Sequence, residues 1–372
     1  MNSVAPTTAL RVAHLDTGRE WRGGQAQALL LMRGLARHGV SSMLLAPPGP
    51  LFDRATAEGI EVVPWYPRSE WDLVAVLEGA RRLRAGRVQV VHAHSAHAHA
   101  VGVPAARLAR VPAVLVSRRV DFPVALNLFS RLKYRLPVDR YLCISREVVE
   151  VMKRGGVPER KLVLVPDGTA FPDPPPGVDL RQWIGLPAGT PVLGTVAALA
   201  PHKNHAELLI AAAEVVRVRP DVHFVWIGEG ECRAPLERER ARLELEGHVH
   251  LLGFRQDAHA LLRQFTLFVL SSYLEGLCTS LLDAQALGVP VVATAVGGVL
   301  DVVRNGETGR LVPAHDPKAM ASSLLEALAD AEMPRRWAAS ARRSVQAFHI
   351  DRTVERTLAA YRVVLAGIEP TA

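Results

Sequence analysis

Residues 267–294 read LFVLSSYLEGLCTSLLDAQALGVPVVAT. The run Leu267–Leu270 is short, aliphatic and without alternation, the pattern of a strand buried on both faces of a parallel sheet. A loop bearing Glu275 and Gly276 follows, then a helical stretch from Thr279 to Leu287, then a second aliphatic run at Pro290–Thr294. Strand, loop, helix and strand in that order make a βαβ unit, with the strands parallel and the helix covering them. The alternation continues in both directions. Pro191–Ala197, His223–Gly228, Val249–Leu252 and Gly309–Val312 read as further strands of this half, and Asn204–Arg217 and Pro317–Ala329 as its helices. Upstream, Leu10–Leu15, Ser42–Ala46, Ile60–Val63, Val88–His92, Ala113–Ser117, Asp139–Ile144 and Leu162–Val165 read as strands, with helices at Gln25–His38, Asp72–Arg84 and Ala96–Arg110. Between the two series lies FPDPPPGV, Phe171–Val178, whose three consecutive prolines fit neither a helix nor a central strand. The expected organisation is therefore α/β: a first domain over 1–172, a linker over 173–187, a second domain over 188–347 and a last helix over 348–372. Ligands of a doubly wound sheet bind beyond the carboxyl ends of its strands. Two such sheets facing each other predict an inter-domain cleft, with the chemistry in the residues just after each strand.

The 372 residues suffice for two domains, and a composition 49% hydrophobic but only 5% aromatic suits aliphatic parallel sheets. Three widely spaced cysteines, Cys143, Cys232 and Cys278, argue against a disulfide framework and point to a reducing cytoplasm. Met1–Leu10 lacks the basic-then-apolar pattern of a secretory leader, and no apolar run is long enough to span a bilayer. The net charge of +7 is uneven, with 24 Lys and Arg against 16 Asp and Glu up to Leu180, and 20 against 21 after it. A basic first half implies an anionic partner (a phosphorylated acceptor, an anionic lipid surface or nucleic acid) or else an arginine-rich solubilising surface.

In the second half, the helix beginning near Thr279 presents amides around Cys278, Thr279 and Ser280 that have no partner within the helix and carry the positive end of its dipole, a ready phosphate site. Glu275 lies in the loop before it and Asp283 about one turn in. Carboxylates beside a phosphate site suit the hydroxyls of a ribose or a sugar; the plain alternatives are a solvated loop acid and a dipole-stabilised acid in a first turn. Lys203 precedes Asn204, a fair N-cap, so a cation stands at a helix N-terminus, where it is unfavourable without an anion. In the first half, Gly23 and Gly24 of WRGGQAQ separate the first strand from a helix and permit close backbone approach to a ligand, although the spacing is not that of a dinucleotide loop. VVHAHSAHAH, Val90–His99, places His92 in a strand and His94 at its carboxyl end, where it could bond a sugar hydroxyl. His92, His94, His97 and His99 straddle a strand-to-helix turn without a completing carboxylate or cysteine, which argues against a metal. Arg118 and Arg119 follow another strand, with Asp121 close by. Ala125–Arg140 reads as an amphipathic helix of the domain or as a membrane-interface segment. No Asp-x-Asp pair occurs, so diphosphate charge is expected to be met by Lys203, arginines and helix ends without a required metal or other cofactor.

With these residues in view, the chain resembles family 4 of the retaining glycosyltransferases, of the GT-B superfamily, over nearly its whole length. The strongest likeness is Glu275–Asp283 with the AQALGVPVVA that follows it, similar to the family's Glu-x7-Glu motif. IGEGE at Ile227–Glu231, HLLGF at His250–Phe254, GGVLDVVRNGETGRLV at Gly297–Val312 and VPDGT at Val165–Thr169 extend it. The resemblance implies a GT-B fold of two facing Rossmann-like domains, and catalysis by Glu275, His94 and Lys203. Glu275 would face the transferred sugar, Asp283 the ribose and Lys203 the diphosphate. Arg255 and its neighbour Phe254 would line the base pocket, and Gly228, Gly276, Leu277, Cys278 and Thr279 would also bind the donor. His94, Gly23 and Gly24 would reach the donor from the acceptor domain. It also implies a nucleotide-sugar donor, a sugar, lipid-linked or other hydroxyl acceptor, no nucleic acid, and a cytoplasmic protein peripheral to the inner membrane face. Two departures stand out. The second acid is Asp283, one methylene shorter than Glu, and the arginine usual five residues before the lysine is Ala198. Arg118 or Arg119 is the expected substitute cation. A GT-B epimerase or hydrolase, a non-catalytic nucleotide-sugar sensor and a two-domain solute-binding protein are the other readings.

Overall fold

The computed structural model describes residues 10–124, 128–171, 173 and 177–367. It divides into two compact units, Met1–Gly168 with Ile350–Ala372, and Thr169–His349. In the first, the strands are β1 (Arg11–Leu15), β2 (Ser41–Ala46), β3 (Glu61–Pro64), β4 (Val90–Ala93), β5 (Ala113–Arg118), β6 (Arg140–Cys143) and β7 (Leu162–Leu164). They form one parallel sheet in the order β3-β2-β1-β4-β5-β6-β7. Its helices are α1 (Gly23–Arg37), α2 (Pro50–Ala57), α3 (Leu73–Ala85), α4 (Ala96–Leu108), α5 (Leu128–Arg135) and α6 (Arg146–Arg154). The order reverses at β1 and β4, so the loops after these strands flank the switch point, where such sheets bind ligands.

The second unit holds α7 (Leu180–Trp183), β8 (Val192–Val196), α8 (His205–Val218), β9 (His223–Ile227), α9 (Arg233–Arg242), β10 (Val249–Gly253), α10 (Ala258–Leu262), β11 (Leu267–Leu270), α11 (Thr279–Ala286), β12 (Val291–Thr294), α12 (Val299–Val302), β13 (Arg310–Val312), α13 (Pro317–Ala329) and α14 (Glu332–Ser344). Its parallel sheet runs β10-β9-β8-β11-β12-β13, with the switch between β8 and β11. Phe224, Trp226, Leu267 and Val269 of the sheet pack with Leu208 and Leu209 of α8, Leu324 of α13 and Trp337 of α14. The thirteen strands among the described residues fall where the aliphatic runs predict them; the signature is clearest in central strands such as β4 and β11, which are buried throughout.

The last helix, α15 (Ile350–Leu365), belongs to the first unit. Val354, Leu358 and Tyr361 join Leu31 and Leu35 of α1 and Val12, Leu115 and Leu142 of the sheet in one core. Gly34 makes the close approach possible: a Cβ there would lie 2.3 Å from Val354 Cγ2.

The stretch expected as a linker over 173–187 is structured in its second half. Asp179 caps α7 by accepting from the Gln182 amide at 3.0 Å, Leu180 is fully buried, and its amide donates to Gln264 Oε1 at 2.8 Å. These ties make α7 part of the second unit. Positions 172 and 174–176 of the proline stretch lie outside the described residues, as do 125–127 of the amphipathic segment.

Candidate functional site

In the second unit, chemistry gathers at the carboxyl ends of β8 and β11. After β8 the chain makes a tight 3-10 turn, Pro201–Lys203, and Asn204 adopts the left-handed conformation (φ +55) before α8 starts. Asn tolerates that conformation. The expected side-chain cap is not made, and Asn204 Nδ2 is buried without a hydrogen-bond partner. Lys203 thus closes the turn, and the loop after β11 clamps it. Ser271 Oγ donates to the Lys203 carbonyl at 2.9 Å and the Tyr273 amide to the His202 carbonyl at 3.0 Å. The clamp sets Lys203 Nζ 2.5 Å from Glu275 Oε2, with only 14% and 8% of the two side chains exposed. Ser272 Oγ donates to the same carboxylate oxygen at 3.1 Å, and the Gly298 amide holds the Glu275 carbonyl at 2.8 Å. Cation and carboxylate are fixed by four loop anchors rather than by one helix.

Directly after Glu275, Gly276 and Leu277, α11 begins. Its N-cap Cys278 makes no side-chain cap, and no acid lies in the first turn. The initial amides therefore keep the donor capacity and positive dipole expected from the sequence. The Ser280 hydroxyl donates to the Val196 carbonyl at 2.6 Å and so ties this helix start to the end of β8. Cys278 is buried, which pushes its thiol up to about 11, so it is no nucleophile at neutral pH. Asp283 lies beyond the first turn. One of its oxygens accepts from Thr169 Oγ1 and the other faces His259 Nε2 at 3.0 Å. That hydrogen bond raises the His259 pKa above its ordinary value.

Gly228 directly follows β9 with φ +150, and a Cβ there would sit 1.9 Å from the Ala197 carbonyl oxygen, so only glycine lets the two loops close. At the end of β10, Phe254 is exposed. Arg255 is held by Asp257 through two 2.8 Å bonds and lies 4.5 Å over the ring of Trp183. A planar cation stacked on an indole beside an exposed Phe is an aromatic border suited to a flat base.

The first unit has its own cluster at the ends of β1, β4, β5 and β7. His94 and Arg119 stand there as expected; His14, Asp16, Asp167, Ser117 and Tyr361 join them without having been anticipated. Arg119 Nε lies 3.2 Å from both oxygens of Asp167, and Nη1 lies 3.0 Å from His94 Nδ1. A guanidinium only donates, so His94 Nδ1 must accept, and its proton sits on Nε2. That proton points to His14 Nδ1 at 2.9 Å, which leaves the His14 proton on Nε2, toward Ser42 Oγ at 3.4 Å. Beside them, His92 is fixed by Tyr361 OH at 2.7 Å and Ser117 Oγ at 2.8 Å. Burial, with Arg119 nearby, pushes His14 down to about 3 and also holds His92 and His94 low, so all three are neutral. Their ring nitrogens lie close enough to suit a metal ion, yet these hydrogen bonds already occupy each of them. Both nitrogens of His94 are engaged, so a bond to a sugar hydroxyl requires one to give way. His97 and His99 stand apart on α4, His99 near Tyr141 OH at 3.5 Å.

Asp16, directly after β1, accepts from the Gly18 amide at 2.7 Å and Gln25 Nε2 at 3.1 Å, while its Oδ2 is buried without a partner. Burial pushes this carboxyl up, against the pull of those bonds. Its position, an acid immediately beyond a strand, was the available signal; Asp167 in VPDGT offered the same one. Gly23 and Gly24 open α1, and the nearest neighbour to a Cβ at Gly24 is Arg119 Cδ at 3.9 Å. Arg118 takes another direction, donating to the Phe122 carbonyl at 2.6 Å. A surface cavity of ≈ 240 Å³ lined by Arg107, Asp139, Arg140, Arg160 and Lys161 lies at the amino ends of β6 and β7, the edge opposite these residues.

Comparison with known proteins matches residues 21–170 to the family described as Glycosyltransferase Family 4 and residues 179–344 to Glycosyl transferases group 1. The chain is 31% identical over 395 residues to the 2-deoxystreptamine N-acetyl-D-glucosaminyltransferase of Streptomyces fradiae, covering 92% of this chain and 91% of that one. It is 28% identical over 275 residues to the UDP-Gal:alpha-D-GlcNAc-diphosphoundecaprenol alpha-1,3-galactosyltransferase of Escherichia coli, covering 70% and 71%. Its fold is that of Anabaena HepE, solved in complex with UDP and glucose, with a TM-score of 0.83 at 18% identity over 95% of this chain and 99% of that one. Two parallel-sheet Rossmann-like units, the Lys203–Glu275 pair and the two family matches meet in one conclusion: the chain is a GT-B glycosyltransferase belonging to family 4.

Proposed function

We propose that this glycosyltransferase moves a sugar from a nucleotide-sugar donor to an acceptor hydroxyl with retention of the anomeric configuration and without a required metal. The observation that carries the reading is the buried Lys203–Glu275 pair beside the uncapped start of α11. Cation, carboxylate and helix amides in one loop cluster correspond to the parts of a sugar diphosphate. Lys203 and the amides of Thr279 and Ser280 would meet the charge that grows on the diphosphate as its bond to the anomeric carbon breaks. Glu275 would accept hydrogen bonds from the transferred sugar, Asp283 would lie toward the ribose, and Arg255 on Trp183 would border the base. The acceptor oxygen forms its bond on the face the diphosphate leaves, and the acceptor proton passes to a donor phosphate oxygen. The protein supplies positioning and charge neutralisation.

The Escherichia coli relative is named for transfer from UDP-Gal to a diphosphoundecaprenol-linked sugar, and HepE was solved with UDP and glucose. A UDP-sugar is thus the first donor to try, and a lipid-linked anionic acceptor agrees with the basic first half. The same proposal places the protein in the cytoplasm at the inner membrane face, with the first unit toward anionic lipid. No helix among the described residues is long and apolar enough to cross a membrane. The test is transfer from UDP-, GDP-, ADP- and TDP-sugars in EDTA, with the product anomer read by NMR. An inverted product refutes retention, and activity that returns only with added Mg²⁺ refutes metal independence. Donor consumption without acceptor selects the epimerase or hydrolase, and binding without turnover selects the sensor.

A further inference from the structure

The outer face of α3 is apolar where a solvated helix should be polar. Within seven residues, Trp71 is 56% exposed, Leu73 75%, Val74 76% and Leu77 62%. The helix has no unmet need for this surface. Its opposite face, with Ala75, Gly79, Ala80 and Leu83, is already buried. Leu73 and Leu77 share one side of the helix with Arg81 and Arg84, so the exposed face is apolar toward its N-terminus and cationic toward its C-terminus; Arg84 Nη2 donates to the Leu108 carbonyl at 2.8 Å and leaves its other N–H groups for a further acceptor. The acids nearby are occupied. Asp72 caps the helix at the Ala75 amide, Glu70 pairs with Lys133 at 2.8 Å and Glu78 with Arg82 at 3.7 Å. The helix is reached from the carboxyl end of β3, on the sheet edge that carries His94 and Arg119, through the loop 65–72.

We propose that this face of α3 docks on an anionic phospholipid bilayer, with Trp71, Leu73, Val74 and Leu77 entering the headgroup layer and Arg81 and Arg84 meeting lipid phosphates. Apolar side chains followed by arginines on one helix face are the pattern of an interfacial element. A second copy of the chain on the same face would set arginines against arginines if the helices paired parallel, or bury them against Leu73 and Val74 without an anion if they paired antiparallel. The inference names the surface behind the membrane clause of the proposed function and rests on it. Vesicle binding needs neither donor nor acceptor, so its failure is distinct from failure of the transferase reading.

The test is co-sedimentation of the full chain with vesicles of phosphatidylcholine, alone or mixed with phosphatidylglycerol. Binding is expected to the mixed vesicles and to weaken with salt. Leu73→Ser/Leu77→Ser should lower the partition coefficient by roughly tenfold or more, and Arg81→Gln/Arg84→Gln by about tenfold, on mixed vesicles only. All four positions are exposed, so an unchanged melting temperature shows that the variants fold. No binding by the unmodified chain, or equal binding by both variants, overturns the proposal. So does a concentration-dependent dimer that Leu73→Ser/Leu77→Ser dissociates.

Discussion

Replacing Lys203 separates what the ion pair does for the fold from what it does for the reaction. Lys203→Met removes the cation 2.5 Å from Glu275 Oε2 and leaves a carboxylate whose side chain is 8% exposed. Breaking a buried pair from one side costs about 3–5 kcal/mol, whereas replacing both partners by neutral groups of similar volume is often close to neutral. For a unit of roughly 150–250 residues each kcal/mol moves Tm by about 2–4 °C, so a fall of about 6–20 °C in the second unit's transition is expected. Lys203→Met/Glu275→Gln should recover most of it. Activity should behave differently. If Lys203 stabilises the departing diphosphate, either variant loses on the order of 10²–10³ in kcat, and the double variant is folded but inactive. Calorimetry on the three proteins, followed by single-turnover transfer, reads both effects. A Lys203→Met protein as stable as the parent refutes the structural argument. A kcat change below about threefold, too little for a lost transition-state donor, removes Lys203 from the mechanism.

Three further outcomes follow from particular contacts. Gly34→Ala would press a Cβ to 2.3 Å from Val354 Cγ2, so about 1–3 kcal/mol of the first unit's stability should be lost; denaturant unfolding measures it, and recovery in Gly34→Ala/Val354→Ala assigns it to this contact. His259 has its pKa raised by the hydrogen bond to Asp283. Its stabilising contribution is therefore complete below about pH 6.5, its unfolded value, and fades as pH rises through the higher folded one; His259→Gln should melt lower than the parent at acid pH but not at alkaline pH, and a pH-independent difference refutes the linkage. Arg119→Met strands buried Asp167 and should cost about 3–5 kcal/mol, whereas Arg118→Ala on the partly exposed face should change stability by less than about 0.5 kcal/mol; if Arg118→Ala and Arg119→Ala both leave turnover intact, neither arginine supplies a phosphate cation.

What the sequence made legible follows the range of the forces involved. A strand buried on both faces must be aliphatic over its own four to six residues, so β11 and β12 could be read from adjacent letters. The start of α11 was legible for the same reason, since its orphan amides are a property of the helix alone. Partners brought together by the fold were not. Glu275 lies 72 positions from Lys203, His14 80 from His94 and Tyr361 269 from His92, and no local spacing announces such pairs. Asn204 shows the converse failure: its residue type fits an N-cap, but the loop clamped by Ser271 and Tyr273 imposed a left-handed backbone, and the side chain lost its cap.

Asp283 brings these lessons to bear on the reaction. From the motif alone, its missing methylene implies a longer or water-bridged contact with a ribose. In the folded unit, its two oxygens face Thr169 and His259, from 114 and 24 positions away. Each carboxylate oxygen has a second lone pair, so a ribose hydroxyl can still be accepted, but by a carboxylate whose direction is already set. If a donor ribose binds here as proposed, the shorter side chain changes where it must sit more than how firmly the acid is held. Asp283→Glu would push the carboxylate away from Thr169 and His259 while extending it, so it should raise the donor KM and abolish the pH dependence carried by His259, with kcat little changed. A variant that binds donor more tightly and keeps the His259 linkage would show that the aspartate is merely a shortened glutamate and that its two partners do not set its position.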